Sequence, residues 1–180
     1  MSTLAVFDCE NVDTVLGREI LNRKPLPWDR LIYQRVHKWL EQHFQQAARL
    51  IAVIREGDGP ARAKHMKFAN ALHRIGVRVV FAEAYVTANS LCGPAAPEVV
   101  DSVVADLISK AQASVICYGG HDFYANFPLR KQREAGARVF ALGFPEFVSI
   151  EVISAVEEVF DLENDIGGFE HPLPRVRIFP

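Results

Sequence analysis

The chain is short of the features that most directly fix a small protein's chemistry. Its three cysteines, Cys9, Cys92 and Cys117, lie far apart, with no CxxC pair and no Cys/His ligand spacing. Neither a structural zinc site nor a disulfide framework is therefore expected. Cys117 reads as core, and Cys9, flanked by acids, as an unreactive thiol, because neighbouring negative charge disfavours thiolate. No basic stretch leads into an apolar segment and cleavage site, and no apolar run approaches bilayer length, so the expectation is a cytoplasmic protein without membrane contact. Repeats and low-complexity tracts are absent. So is any excess of positive charge: 20 Lys and Arg face 22 Asp and Glu, a net charge of −2. Nucleic-acid binding would have to rest on a local patch, not an overall field.

What remains is ordinary globular material. With 180 residues, 49% hydrophobic and 23% charged, the chain can bury one good core and is too short for two. Apolar runs at residues 4–7, 49–54, 77–82, 113–118 and 138–143 read as strands, the third with an outer limit at Tyr85. Between them, helical spacing begins at Trp28-Asp29 and carries Leu31, Ile32, Val36, Trp39, Leu40 and Phe44 on one stripe. Further helices are expected over 61–75, from Pro97-Glu98 to Ala111, from Phe123 or Tyr124 to Ala135 and over 149–160, with residues 87–97 as a loop. The last twenty residues are rich in Gly and Pro, and the alternation over 175–179 suits an edge strand or a tail. A domain over 1–160 followed by a tail over 161–180, able to pack on it, is the expected organisation.

Strands alternating with helices over short connections imply a three-layer α/β/α fold on a mostly parallel sheet of five or six strands. Right-handed crossovers bring every strand's carboxyl end to one edge, where such sheets carry their sites. Asp8, Arg55 and Asp122 are thereby placed on one rim. The stretch Asp8-Cys9-Glu10-Asn11 offers oxygens that can hold a hard divalent cation, or simply an N-cap. In the apolar helix over 99–108, five residues of rotation turn Asp101 and Asp106 about 140° apart. Asp101, in the first turn, suits the helix dipole. Asp106, mid-helix among Val, Ala, Leu and Ile, asks for a partner or a metal to offset its desolvation. Acids converging on one rim repel unless a cation such as Mg²⁺ or Mn²⁺ lies between them, and such an ion can activate water against a phosphodiester. Arg55, Arg62, Lys64 and Lys67 near the amino end of the 61–75 helix suit phosphates or a solvated face, as do Arg130, Lys131 and Arg133. His121 suits a general base, a phosphate donor or a polar turn.

With these residues in view, residues 4–147 resemble the NYN (LabA-like) branch of the PIN-like nuclease superfamily. Phe7-Asp8-Cys9-Glu10-Asn11 resembles the opening Asp-x-x-Asn motif, and the Asp-bearing apolar helix around 101–108 follows in order. Gly119-Gly120-His121-Asp122-Phe123 resembles the Ser-Gly-Asp-x-Asp-Phe motif, followed by a helix, a Gly and the strand 137–143. The resemblance implies a Mg²⁺- or Mn²⁺-dependent ribonuclease in which Asp8, the helix aspartate and Asp122 hold the metal and Asn11 orients a ligand or substrate. Tyr118 and Gly120 stand where the family has Ser and the first Asp, so one acid is missing. Asp101 and Asp106 are five apart where the family has six, and the metal role passes to Asp106 first and Asp101 second. Glu10 either faces solvent or stands in for the acid absent at 120. Arg55, Arg62, Lys64 and His121 are the expected RNA contacts. Two alternatives stay open: a weak or inactive module that binds RNA or a regulatory partner, and a haloacid-dehalogenase-like phosphohydrolase, because Asp8-x-Glu10-x-Val12 echoes that nucleophile motif. Homodimerisation through the final helix or residues 175–179 is also open.

Overall fold

Six apolar, β-branched segments form one sheet in the computed structural model, which describes residues 2–89 and 98–175. They are β1 (Thr3–Asp8), β2 (Ala48–Ile54), β3 (Arg78–Phe81), β4 (Val115–Gly119), β5 (Arg138–Gly143) and β6 (Glu158–Asp161). Every pairing is parallel, in the order β3-β2-β1-β4-β5-β6. Parallel neighbours cannot be joined by a tight hairpin, so helices carry the crossovers. These are α1 (Cys9–Val15), α2 (Tyr33–Phe44), α3 (Gly59–Arg74), α4 (Ala82–Ala88), α5 (Val99–Ser109), α6 (Asn126–Glu134) and α7 (Ile150–Ala155).

Alternation along β1 splits the core in two. Ala5 and Phe7 pack with Val36 and Leu40 of α2 and with Ala69 and Leu72 of α3. Leu4 and Val6 pack on the opposite face with Val103 and Val104 of α5, Leu129 of α6 and Val152 of α7. Covered on both sides, β1 and β4 are buried at every position, as the strands of a three-layer parallel sheet should be. The chain runs outward from β1 to β3 and then crosses to β4, so the strand order reverses between β1 and β4. In open sheets of this kind, ligand sites form beyond the strand ends at such a reversal.

Several boundaries differ from the sequence expectation, each for a local reason. Residues Pro27–Asp29 make a single tight turn, closed by Asp29 accepting the Leu26 N–H at 2.8 Å and held by Arg23 at 2.6 Å. Trp28 is consequently 57% exposed, and α2 starts only at Tyr33. Strand β3 stops at Phe81 and α4 follows at once, so Tyr85, Thr87 and Ala88 are helical. The remainder of the expected 87–97 loop from residue 90, with Cys92 and Pro97, lies outside the described residues. The helix expected over 149–160 is only α7; Val156 turns extended and Glu158–Asp161 pairs with β5 as β6. A short apolar-acidic run reads equally as a helical face or an edge strand, and here the open edge of β5 decides. The division after residue 160 therefore falls inside a strand. Beyond it, Leu162, Ile166, Phe169 and Leu173 are buried in the α2-side core, and Gly168 accepts the Ile32 N–H at 2.8 Å. Of the expected 175–179 alternation only Arg175 lies among the described residues.

Candidate functional site

The site begins where β1 runs out. Asp8 is its last residue and the N-cap of α1, with Oδ1 accepting the Asn11 N–H at 2.9 Å. Its other oxygen, Oδ2, accepts the Tyr124 hydroxyl at 2.5 Å, and the Tyr118 hydroxyl donates in turn to that of Tyr124 at 3.3 Å. Asp8 is only 2% exposed. Burial pushes its carboxyl up, the Tyr124 and Asn11 hydrogen bonds pull it back, and the charge of Asp122 raises it again. The N-cap reading and the site reading of Asp8 thus describe one carboxylate, anchored from behind by its cap and its tyrosine.

Asn11 ties β1 to the loop after β4. Its Nδ2 donates to Asp122 Oδ2 at 2.5 Å, while Oδ1 accepts both the backbone N–H of His121 (2.8 Å) and its ring Nδ1 (2.9 Å). An amide oxygen can only accept, so the Nδ1 carries the proton. The imidazole Nε2 is then free to accept, and it takes the Phe144 N–H at 2.9 Å. His121 is 2% exposed, stacks on Phe144 and is pushed down to about 4 by burial. Neutral and engaged at both nitrogens, it holds the loop. The expected phosphate donor or general base at His121 is not what the fold provides.

The two helix acids exchange roles. A crossover helix starts at the rim and runs away from it, so Asp106 lies about 7.5 Å farther along the axis than Asp101 at 1.5 Å per residue. Asp106 accepts the Tyr85 hydroxyl and the Lys110 ammonium, both at 2.7 Å, with its side chain 18% exposed. Its desolvation is met by those partners, and it belongs to the flank of the domain. Asp101 is the helix acid at the rim. Burial pushes it up to about 6, with the charges of Asp8, Asp122 and Glu98 adding to the rise. Asp122, at the surface, is raised by partial desolvation and pulled back by Asn11. Asp8, Asp101 and Asp122 come from three elements, and among the described residues none of them forms an ion pair.

Gly120 is explained by Tyr118. A Cβ at residue 120 would come within 2.3 Å of the Tyr118 hydroxyl oxygen, so a side chain there cannot coexist with that ring. Positions 118 and 120 are therefore sterically coupled, with the Tyr118 hydroxyl occupying the space that a side chain at 120 would take. From the sequence, Tyr118 reads only as a replacement for Ser and Tyr124 only as a helix start, and neither as a partner of Asp8. Their signal is two tyrosines flanking the Gly-Gly-His-Asp turn, which only the turn's geometry converts into a chain ending on Asp8.

The basic side chains lie to the β2 side. Arg55 contacts Glu83 at 3.4 Å, and Arg62 contacts Glu56 at 2.6 Å. Lys64 and Arg55 line a cavity of about 680 Å³ that also includes Glu10, whereas Arg62 does not. Glu10 is raised mainly by burial, with Arg55 pulling it down and Asp8 pushing it up, so it stands between the cavity and the acids. On α6, Arg130 is tied to Asn126 and Ser154, while Lys131 and Arg133 are exposed. Cys9 is buried under the Tyr33 hydroxyl, and burial pushes its thiol far up.

A divalent cation fits the chemistry of the acids: three hard oxygen donors, two of them raised by one another's charge. Among the described residues no three His, Cys, Asp or Glu side chains stand close enough to enclose one ion. A cation here would take at most two carboxylates directly, with water completing its shell, the usual habit of Mg²⁺. The phosphohydrolase alternative needs Asp8 to attack phosphorus. A carboxylate 2% exposed with both oxygens hydrogen-bonded does not favour that.

Comparison with known proteins gives the fold. No family model matches the chain, and no curated protein does. Among solved structures, a protein of unknown function from Vibrio parahaemolyticus is similar, with a TM-score of 0.60 and 12% identity over 92% of this chain and 94% of that one. The likeness is to the fold alone: a three-layer, Rossmann-like α/β/α domain on an all-parallel sheet. Among the described residues no helix is long and apolar enough to cross a membrane.

Proposed function

We propose that the chain is a metal-dependent ribonuclease of the NYN (LabA-like), PIN-like kind, hydrolysing RNA phosphodiester bonds at the carboxyl edge of the sheet. One observation carries the reading: Asp8, Asp101 and Asp122 lie at the β1/β4 reversal within reach of one another's charge, with no ion-pair partner among the described residues. Of Asp8, Asp101 and Asp122, at most two would hold Mg²⁺ or Mn²⁺ directly, the third acting through a water in the ion's shell. Such an ion supplies an activated water and neutralises charge on the phosphodiester. The protein's own groups do the rest. Tyr124 and the Asn11 N–H fix Asp8, and the Asn11 amide fixes Asp122, so one carboxylate at the end of β1 and one in the turn after β4 keep their orientation. Such supporting hydrogen bonds orient ligands and tune their basicity. Asp101, pushed up to about 6, can hold or release a proton near neutral pH at the edge of the site.

The test is cleavage of single-stranded RNA by purified protein with Mn²⁺. Asp8→Asn keeps the N-cap, because Asn caps as well as Asp, and should lower the rate by more than about 100-fold. That exceeds the 10–100-fold typical of residues that only orient ligands. Asp122→Asn should behave alike. Undiminished cleavage in both variants would sink the proposal. Tyr118 in the space of the missing acid favours a second reading, a domain that binds RNA without cutting it. Tight RNA binding indifferent to EDTA, with no turnover, is its signature.

A further inference from the structure

The 680 Å³ cavity beside the acids has a composition that the hydrolytic reading leaves unused. Its size falls within the 300–1,000 Å³ of small-molecule sites. Its cations fall into two kinds. Arg30 is held by Asp13 at 3.1 Å and Arg55 by Glu83 at 3.4 Å. Lys24 and Lys64 are exposed and have no carboxylate partner among the described residues. Behind them the lining turns apolar and aromatic with buried Ile54 and half-buried Phe68, whose ring is held edge-on by Tyr33 at 6.1 Å. His65 donates from Nδ1 to the Arg55 carbonyl at 2.7 Å, since a carbonyl can only accept, and its Nε2 is left as an acceptor. Glu10 and Asp13 add two more acceptors.

We propose that this cavity binds one nucleoside monophosphate unit. Lys24 and Lys64 take the phosphate, Phe68 and Ile54 take the flat apolar base, and the His65 Nε2 and the Glu10 and Asp13 carboxylates accept from its amino and hydroxyl groups. Inorganic phosphate leaves the aromatic wall unused, and a polyacidic peptide meets Glu10 and Asp13 as like charges. A nucleotide satisfies both halves of the lining. Because Glu10 lies between the cavity and Asp8, the bound unit is the nucleotide of an RNA strand beside the bond presented to the acids. That placement rests on the ribonuclease reading; the binding itself does not.

Calorimetric titration of the full chain in EDTA tests the binding separately from hydrolysis. Adenosine monophosphate should bind at least about tenfold tighter than inorganic phosphate or adenosine alone, as a charge-assisted contact added to an apolar one requires. Lys64→Ala and Lys24→Ala, both at exposed positions, should each weaken it by about tenfold, and Asp106→Asn, on the flank of the domain, should leave it unchanged. A short oligoribonucleotide that cannot be cleaved under these conditions should displace the mononucleotide. No saturable binding at millimolar nucleotide, phosphate binding as tightly as the nucleotide, or indifference to both lysine changes would overturn the proposal. An oligonucleotide that binds without displacing the mononucleotide would overturn its placement on the RNA path. If RNA is never cleaved, the calorimetric result still stands or falls by itself.

Discussion

Two halves of the same rim are built from similar residue types and behave in opposite ways. On the β2 side, acids and arginines pair, Arg30 with Asp13, Arg55 with Glu83 and Arg62 with Glu56, and the exposed Lys24 and Lys64 add positive charge beside them. On the β4 side, Asp8 and Asp122 are held by hydrogen-bond donors, none of Asp8, Asp101 and Asp122 has a basic partner among the described residues, and their carboxyls are raised. A fold that needed only solubility or helix capping would have no reason to separate the charges this way. The unpaired half is where a cation gains most, because it relieves a repulsion already stored in the native state. Asp106, although set midway along an apolar helix, belongs by its Lys110 and Tyr85 partners to the paired class.

Four substitutions sharpen that contrast. The largest effect is expected from Gly120→Asp, which adds an acid to the unpaired half against the Tyr118 ring. Overpacking of this kind costs about 1–3 kcal/mol, read as a lower urea midpoint. Tyr118→Ser should also destabilise, by opening a cavity, but the double variant should be more stable than the sum of the two by at least about 1 kcal/mol. Strict additivity would show that the two positions are not coupled.

Next comes Asp101→Asn. In the folded, metal-free protein Asp101 keeps its proton up to about pH 6, whereas in the unfolded chain it ionises near pH 4. Between those values the native state binds the extra proton. The Asp101 contribution therefore makes stability fall as pH rises from about 4 to about 6. An asparagine cannot ionise, so the variant should show a flatter Tm profile across that window. An unchanged profile would mean that neither burial nor the neighbouring acids raise Asp101.

The smallest effect belongs to Asp106→Asn. Loss of a partly exposed pair is expected to cost no more than about 1 kcal/mol, without change in RNA cleavage. A large loss of activity there would return the metal role to Asp106 and undo the division drawn between the two halves.

Much of this was legible in the sequence, for reasons visible in particular residues. Apolar runs ending in Asp8 and in Gly119-Gly120-His121-Asp122 fix a parallel sheet with acids on its rim, because period and punctuation are local signals. The angular argument separated Asp101 from Asp106 correctly, but it ignored distance along the axis, and that distance decides which acid reaches the rim. His121 and Asn11 could not be assigned from spacing alone, since their roles depend on partners 110 residues away along the chain. Strand β6 was hidden because a four-residue edge strand carries too little pattern to compete with an adjoining helix. The Tyr118–Tyr124–Asp8 chain was hidden because its members become neighbours only through the turn after β4.

The most direct test of the unpaired acids is Mn²⁺ binding followed by electron paramagnetic resonance of the free ion, with wild-type protein and Asp8→Asn side by side. The account predicts saturable binding by the wild type that is lost or strongly weakened in the variant, at unchanged folding. Equal binding by both proteins, or none by the wild type at millimolar Mn²⁺, would contradict it.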